Sequence, residues 1–251
     1  MHTNTKLVAF DLDGTLARSK SPLDPEMADL LLALLKNRSV AVITGGSYGQ
    51  MQKQFIGGFP KETAFSNLVL LPTCGSSFYH HRDGTWKEVY RHVLTPEEKQ
   101  TIMDAFDAAL KESGFRTPEK LFGNILEDRE TQISFSAFGQ EAPLEIKEGW
   151  DTDHAKRKHI VSFLAPRIPD HEVRIGGATT IDVTRKGIDK AYGIEQLERT
   201  LGVPVSEMLF VGDALGEGGN DAAVIRTGIR THAVRDPEDT KALIREIVAA
   251  R

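Results

Sequence analysis

The sequence predicts a doubly wound, Rossmann-like α/β core on a parallel sheet, with an α+β block inserted into it. Three observations carry that prediction. Short apolar runs alternate with helical stretches near both ends of the chain, the pattern of a parallel sheet covered by helices. The middle of the chain changes rhythm and offers an alternating, half-buried strand and a glycine hairpin between amphipathic helices. Carboxylates, glycines and hydroxyls sit directly behind the apolar runs, where ligands bind in open α/β sheets.

Residues 7–10 (Leu-Val-Ala-Phe) are apolar at every position, as a strand buried on both faces requires. Residues 25–36 read as a helix with Pro25 in its first turn, where the missing N–H costs nothing. A β-branched strand at 40–43, a helix at 49–55 and a strand at 68–71 follow. The same rhythm returns later as a helix at 190–201, a strand at 208–211, a helix beginning near Asn220 and a strand at 230–234. A final helix covers 237–250 with Asp236 as its N-cap. Between these stretches lie helices at 96–113 and 150–164, an alternating strand at 131–138, and strands at 172–175 and 179–183 joined across Gly176-Gly177. The block edges are expected near Asp83-Gly84 and Arg185-Lys186-Gly187, so the core comprises 1–83 and 187–251 and the block 84–186. The basic run Lys156-Arg157-Lys158, with Asp151 and Asp153 beside it, reads as a solvated helix face rather than a binding patch.

Apolar content of 40% and charged content of 27% suit a globular chain, and 251 residues suffice for a sizeable core. A net charge of −5 argues against nucleic acid or an acidic membrane as partner. The single cysteine, Cys74, cannot form an internal disulfide and fits a reducing compartment. The opening residues lack a signal-peptide pattern, and no run approaches the ~20 apolar residues of a membrane span. A cytoplasmic location is therefore expected.

The chemistry begins at Asp11-Leu12-Asp13-Gly14-Thr15. Two carboxylates that close raise each other's pKa unless positive charge compensates, which points to a cation and a substrate phosphate. Gly14 allows a sharp turn and Thr15 offers a hydroxyl to an anion. The plain alternative is an Asp-Gly turn without chemistry. Thr44, trailed by Gly45 and Gly46, supplies a hydroxyl and free amides suited to a phosphoryl oxygen, or else caps a helix. Residues 212–221 hold three acidic residues, four glycines and Asn220. Such a run is a poor structural element but a good oxygen cage for Mg²⁺, with a flexible acidic loop as the alternative. Lys190 opens a helix at the second block edge and alone carries no signal.

Together the four sites resemble the haloacid dehalogenase superfamily of phosphotransferases, through Asp11-x-Asp13-Gly14-Thr15, Thr44, Lys190 and Gly212-Asp213…Gly218-Gly219-Asn220-Asp221. The inserted block resembles the type IIB cap of that superfamily. Gly176-Gly177-Ala178-Thr179-Thr180-Ile181-Asp182-Val183, Gly187-Ile188-Asp189-Lys190 and Pro237-Glu238-Asp239-Thr240 are similar to the eukaryotic-type phosphomannomutases. The resemblance implies phosphoryl transfer in two steps. Asp11 would attack phosphorus to form an aspartyl-phosphate, and Asp13 would act as general acid and then base. Thr44 and Lys190 would hold phosphoryl oxygens, with Gly45, Gly46 and Lys20 adding substrate contacts. Mg²⁺ would be bound by Asp11, the Asp13 carbonyl and Asp213, with Asn220 or Asp221 through water. Arg129, Thr180 and Asp182 would contact a sugar phosphate when a mobile cap closes. Caps of this kind can also form homodimers, with Trp150 or Phe163 as candidates for an exposed contact or for the cap core.

The sequence departs from the family where a mutase needs its grip. Arg129 matches a cap arginine, but Gln140 stands where a second is expected, Lys147 lies near a third, and Lys20 replaces an arginine after the first motif. Arginine binds phosphate bidentately, whereas lysine is a mobile point charge and glutamine carries none. A mutase must retain a bisphosphate while the sugar turns round, so weaker cationic grip favours attack by water. The expected activity is a phosphatase acting on a small sugar phosphate, with true phosphomannomutase as the alternative.

Other signatures compete less well. Gly45-Gly46-Ser47-Tyr48-Gly49 matches the G-x-S-x-G elbow of serine hydrolases, but only two strands precede it, where that fold needs several, and no oxyanion loop lies upstream. A calcium loop over 11–22 fails because Leu16 and Pro22 replace its glycine and glutamate. His154 and His159 are spaced wrongly for one helix face, and His80-His81 have no cysteine partners, so zinc is not expected. A non-catalytic sugar-phosphate binder would share the fold but show no turnover.

Overall fold

A computed structural model describes residues 4–250. The first part of the chain forms β1 (Leu7–Phe10), α1 (Pro25–Leu35), β2 (Ser39–Ile43), α2 (Tyr48–Gln54), β3 (Leu68–Leu71), β4 (Ser77–Arg82) and β5 (Thr85–Arg91). The middle forms α3 (Pro96–Glu112), β6 (Leu126–Asp128), β7 (Ile133–Ser136), α4 (Leu144–Glu148), α5 (Ala155–Leu164), β8 (His171–Gly176) and β9 (Thr180–Arg185). The last part forms α6 (Lys190–Leu201), β10 (Met208–Gly212), β11 (Arg230–Ala233) and α7 (Pro237–Ala249). Two compact units result: one runs to Arg91 and resumes at Asp189, and the other is His92–Ile188.

The first unit is a seven-stranded sheet in the order β11-β10-β1-β2-β3-β4-β5. From β11 to β3 all neighbours are parallel, while β4 and β5 pair antiparallel. Alternate side chains of the parallel strands enter separate cores. Val8, Phe10, Val40, Val42 and Leu70 pack with Met27 and Leu31 of α1 and Ile244 of α7. Leu7, Ala9, Ile43, Leu71 and Phe210 pack with Ile194 and Leu197 of α6. Both faces are therefore buried, which explains strands that are apolar at consecutive positions. Each such fully buried side chain contributes about 1.5–3 kcal/mol. The order reverses at β1: β2 and β3 extend one way, β10 and β11 the other. The crevice beyond the carboxyl ends of β1 and β10 is thus the topological switch point, where such sheets bind ligands.

The expected block edge at 83/84 is corrected by the β4–β5 hairpin. Asp83 (φ 52°) and Gly84 (φ 72°) are both left-handed, as a two-residue hairpin turn requires, and β5 pairs with β4 from Ser77↔Arg91 to Arg82↔Thr85. Residues 84–91 therefore belong to the core sheet. At the other edge, Asp189 opens the return to that unit rather than Gly187. The helix expected from Asn220 is a short 3-10 turn over Ala222–Thr227. The helix expected from 150 begins only at Ala155, because His154 adopts φ 62°.

The second unit has its own four-stranded antiparallel sheet, ordered β6-β7-β9-β8. One face carries Ile133, Phe135, Ile181 and Val183 against Ile102 and Phe106 of α3 and Ile160 and Leu164 of α5. The other face is polar, with Ser134 opposite Asp182 and Arg174 on its far side. Arg157 corrects the expectation of a solvated helix face, since it is fully buried. Its Nε donates to Asp151 Oδ2 at 2.7 Å, and Nη1 donates to the carbonyls of Gly176 and Gly177 at 2.8 and 2.7 Å. One guanidinium therefore joins the start of α5 to the β8–β9 turn.

Two predictions test this second unit. Arg157→Met strands a buried carboxylate and is expected to lower the unfolding free energy by about 3–5 kcal/mol in urea titrations. Glu98, hydrogen-bonded by Arg185 Nε and Nη2 at 2.8 and 2.7 Å, has its carboxyl held down to about 2 by that guanidinium. A depressed folded pKa stabilises above the unfolded value, near 4.5, and is lost as pH falls through the folded one. Glu98→Gln is accordingly expected to be less stable than the parent at pH 7, with the gap closing as pH drops from about 4.5 to 2.

Candidate active site

Asp11 continues the ladder of β1, its N–H donating to the Val211 carbonyl at 2.9 Å, and its side chain is 3% exposed. Lys190, at the first position of α6, places Nζ 2.5 Å from Asp11 Oδ1 and 2.5 Å from Asp221 Oδ1. An ammonium at a helix N-terminus opposes the macrodipole, and here two carboxylates outweigh that penalty. Gly193 and Gly75 let α6 reach this position. A Cβ at Gly75 would lie 2.9 Å from the Gly193 Cα, so the backbones touch where no side chain fits.

Asp213 follows β10. Its N–H donates to Thr15 Oγ1 at 3.1 Å, and the Thr15 hydroxyl donates to Asp213 Oδ1 at 3.4 Å. The anion that the Thr15 hydroxyl meets lies within the protein: fully buried, it orients the Asp213 carboxylate. Gly14, at φ 93°, is required because a Cβ there would sit 2.4 Å from Asp213 Oδ2. Gly212 plays the same part for Asp221, with a Cβ 2.3 Å from Oδ2. Asp221 Oδ2 accepts from the Ala214 N–H at 3.1 Å, which closes the loop on itself.

Carboxylate oxygens of Asp11, Asp213 and Asp221 lie within 4.8 Å of one another. Burial raises the Asp11 pKa well above its usual value; Lys190 opposes this, and Asp221 and Asp213 reinforce it. Packing around Asp213 and the charge of Asp221 raise the Asp213 pKa too. Burial alone would lower Lys190, but Asp11 and Asp221 outweigh it and hold the ammonium charged. With every group ionised, three carboxylates face one ammonium. The donors are hard oxygens with excess negative charge, a set that fits Mg²⁺.

Asp13 points elsewhere. Its Oδ1 accepts from the Lys20 N–H at 2.6 Å and from Gln54 Nε2 at 2.8 Å. Lys20 thus meets the site through its backbone, in a left-handed conformation (φ 52°). Gln54, the last residue of α2, had no signal in the sequence because nothing local marks it as facing the first motif. Thr44 is buried one residue beyond β2, and its Oγ1 accepts from the Gly46 N–H at 3.1 Å. The Thr44-Gly45-Gly46 loop is tied down by Cys74 N–H donating to Thr44 O and Thr73 N–H to Gly46 O, at 2.8 and 2.9 Å. Ser47 is the N-cap of α2 in a capping box with Gln50, which accounts for the elbow-like motif without a nucleophile. Asn220 is half-buried beside Asp221 in the β10 loop.

In the second unit, Arg129 Nε donates to Glu127 Oε2 at 2.7 Å and Nη2 to Gln140 Oε1 at 2.9 Å, while Nη1 lies 4.0 Å from Asp182 Oδ1. Asp182 Oδ1 accepts from Ser134 Oγ at 2.6 Å, and Thr180 Oγ1 donates to the Gly176 carbonyl at 2.5 Å. Lys147 Nζ donates to the Gln140 carbonyl at 3.2 Å. Arg129 and Asp182 thus share one polar cluster, and Glu127 is a member that the sequence did not single out. Among the described residues no helix is long and apolar enough to cross a membrane.

Comparison with known proteins agrees with this architecture. The family profile of eukaryotic phosphomannomutase matches residues 27–250. Human phosphomannomutase 1 is 27% identical over 251 residues, covering 96% of this chain and 91% of the relative. The Saccharomyces cerevisiae phosphomannomutase is 28% identical and covers 96% and 93%. In fold, an N-terminally truncated IMP-nucleotidase of Plasmodium falciparum superposes with a TM-score of 0.73 at 18% identity, covering 98% of this chain and 71% of that one. The C-terminal domain of Candida albicans trehalose-6-phosphate phosphatase superposes at 0.67 with 14% identity, covering 99% and 94%. The protein is a phosphotransferase of the haloacid dehalogenase type. Within that class the chain belongs to the eukaryotic phosphomannomutase family.

The glycine contacts give a direct test of the carboxylate cage. Gly212→Ala would push Asp221 off Lys190, and turnover of a phosphate monoester is expected to fall about 100-fold while the melting curve stays cooperative. Gly216→Ala, in the same loop but with nothing within 4 Å of its Cβ, is the expected neutral control.

Proposed function

We propose that this protein is a Mg²⁺-dependent phosphatase acting on a small sugar phosphate. The observation that carries the reading is the buried Lys190 ammonium 2.5 Å from both Asp11 and Asp221, with Asp213 beside them at the sheet's switch point. Asp11, Asp213 and the Asp13 carbonyl, with Asn220 or Asp221, would hold the ion, which would supply positive charge against the phosphoryl oxygens. The Asp11 carboxylate attacks phosphorus, and the bond from phosphorus to the sugar oxygen breaks as Asp13 delivers its proton to that oxygen. Asp13 then takes a proton from water, whose oxygen attacks phosphorus and frees Asp11 and inorganic phosphate. Lys190 and the Thr44 hydroxyl stabilise charge on the transferring group, with Gly45, Gly46 and Lys20 alongside.

Arg129, Thr180 and Asp182 recognise the sugar. Hydrolysis is favoured over mutation because Gln140 is neutral and because Arg129 already engages Glu127 and Gln140 within its own unit. The second reading, a true phosphomannomutase, rests on the family itself. Self-association through the second unit and a reducing cytoplasmic setting belong to the same proposal.

A panel of hexose 1- and 6-phosphates, assayed for released phosphate and for isomerised sugar with and without a hexose 1,6-bisphosphate, separates the readings. Free phosphate is the expected product. Isomer accumulating without phosphate would establish the mutase instead. Asp11→Asn and chelation of Mg²⁺ are each expected to cut turnover by at least about 1,000-fold, and full activity after either would overturn both readings.

A further inference from the structure

Lys190 does not hold its position by its own bonds alone. The residue before it, Asp189, is the N-cap of α6, and its Oδ1 accepts from the Tyr192 N–H at 3.0 Å. Arg226 closes on the same carboxylate as a fork: Nη1 donates to Oδ2 at 2.5 Å and Nη2 to Oδ1 at 2.7 Å. The carboxylate side chain is 7% exposed, whereas that of Arg226 is 52% exposed. Arg226 is the penultimate residue of the 3-10 turn Ala222–Thr227 that starts directly after Asp221.

The two bonded pairs form parallel straps. Adjacent residues at the start of α6, Asp189 and Lys190, grip Arg226 and Asp221, which lie at either end of one short turn. The inner strap is buried and carries the ammonium. The outer strap is a bidentate pair, the geometry that restricts both position and rotation of its partners. A surface arginine adds positive charge to a helix N-terminus, where it is unfavourable, so dipole stabilisation does not explain it.

We infer that Arg226 is a positioning residue, which acts through Asp189 to fix the first turn of α6 and so the placement of Lys190 against Asp11. The inference rests on the proposed phosphatase chemistry. It predicts that losing the outer strap lets the ammonium drift, which weakens an interaction needed in the transition state more than in substrate binding.

The test is steady-state hydrolysis of p-nitrophenyl phosphate by the full chain with Mg²⁺, for Arg226→Gln, Arg226→Lys, Asp189→Asn and the Arg226→Gln/Asp189→Asn double variant. Asparagine keeps the N-cap while removing the charge. Arg226→Gln is expected to lower kcat about 10- to 100-fold with KM within about twofold, and a melting temperature within a few degrees of the parent. Arg226→Lys recovers only part of kcat, because a point charge lacks the fork. Asp189→Asn loses a similar factor, and the double variant loses no more than the worse single one. Unchanged kcat, a rise in KM alone, multiplicative losses, or a loss matched by unfolding at the assay temperature would each overturn the inference. Asp11→Asn and Lys190→Ala are assayed alongside. If those two retain full turnover, the proposed function fails and the inference fails with it; if they lose turnover while the Arg226 and Asp189 variants keep it, the inference alone fails.

Discussion

One buried ammonium between two carboxylates organises the first unit. Lys190, Asp11 and Asp221 come from three distant stretches of chain, and each is almost fully buried. An isolated charge in such surroundings would neutralise by shifting its pKa, and breaking one partner out of such a group leaves an uncompensated charge. The strand that carries Asp11, the helix that starts at Lys190 and the loop that carries Asp221 are therefore held to one arrangement. Around this group, two glycines give up their side chains so that Asp213 and Asp221 can approach the backbone.

The same arrangement explains why the parallel sheet matters for chemistry. β1 lies between β10 and β2, so the residues just beyond all three strands meet at one edge. Strands buried on both faces leave little room for movement, and rigid elements hold side chains more accurately than loops. Asp11 sits on the rigid edge, whereas Asp213 and Asp221 lie in the loop over 213–221, which folds on itself through Asp221 and Ala214. The second unit follows a different logic. Its sheet has one apolar face on helices and one polar face, where Arg129, Glu127, Asp182, Ser134 and Gln140 interlock. A guanidinium already bonded to a carboxylate and a glutamine is a weaker anion grip than a free one, and the proposed preference for water as final acceptor rests on that difference.

Much of this was legible in residue order. Apolar runs buried on both faces announce themselves by composition, and β1, β2, β3 and β10 lie where those runs predict. The cap at Asp236 is a local signal and is realised as such. Asp83-Gly84 misled because an Asp-Gly pair marks a turn without saying whether the chain leaves a domain or doubles back within one. The pairing of β5 with β4 decides that, and strand pairing is not local. Arg157 misled for a related reason: a basic run beside acids looks solvated until a helix face is seen to bury one member against backbone carbonyls.

By itself, the amino-acid order determined the sheet-forming segments, the turns and the identity of the chemical groups, because these depend on neighbours within a few residues. Tertiary structure alone decided which groups meet. Lys190 pairs with Asp11 across 179 positions, Gln54 reaches Asp13 across 41, and Arg226 locks Asp189 across 37. Those encounters follow from packing two helical layers on one sheet, and no local pattern encodes the distance between segments once the chain has closed around its core.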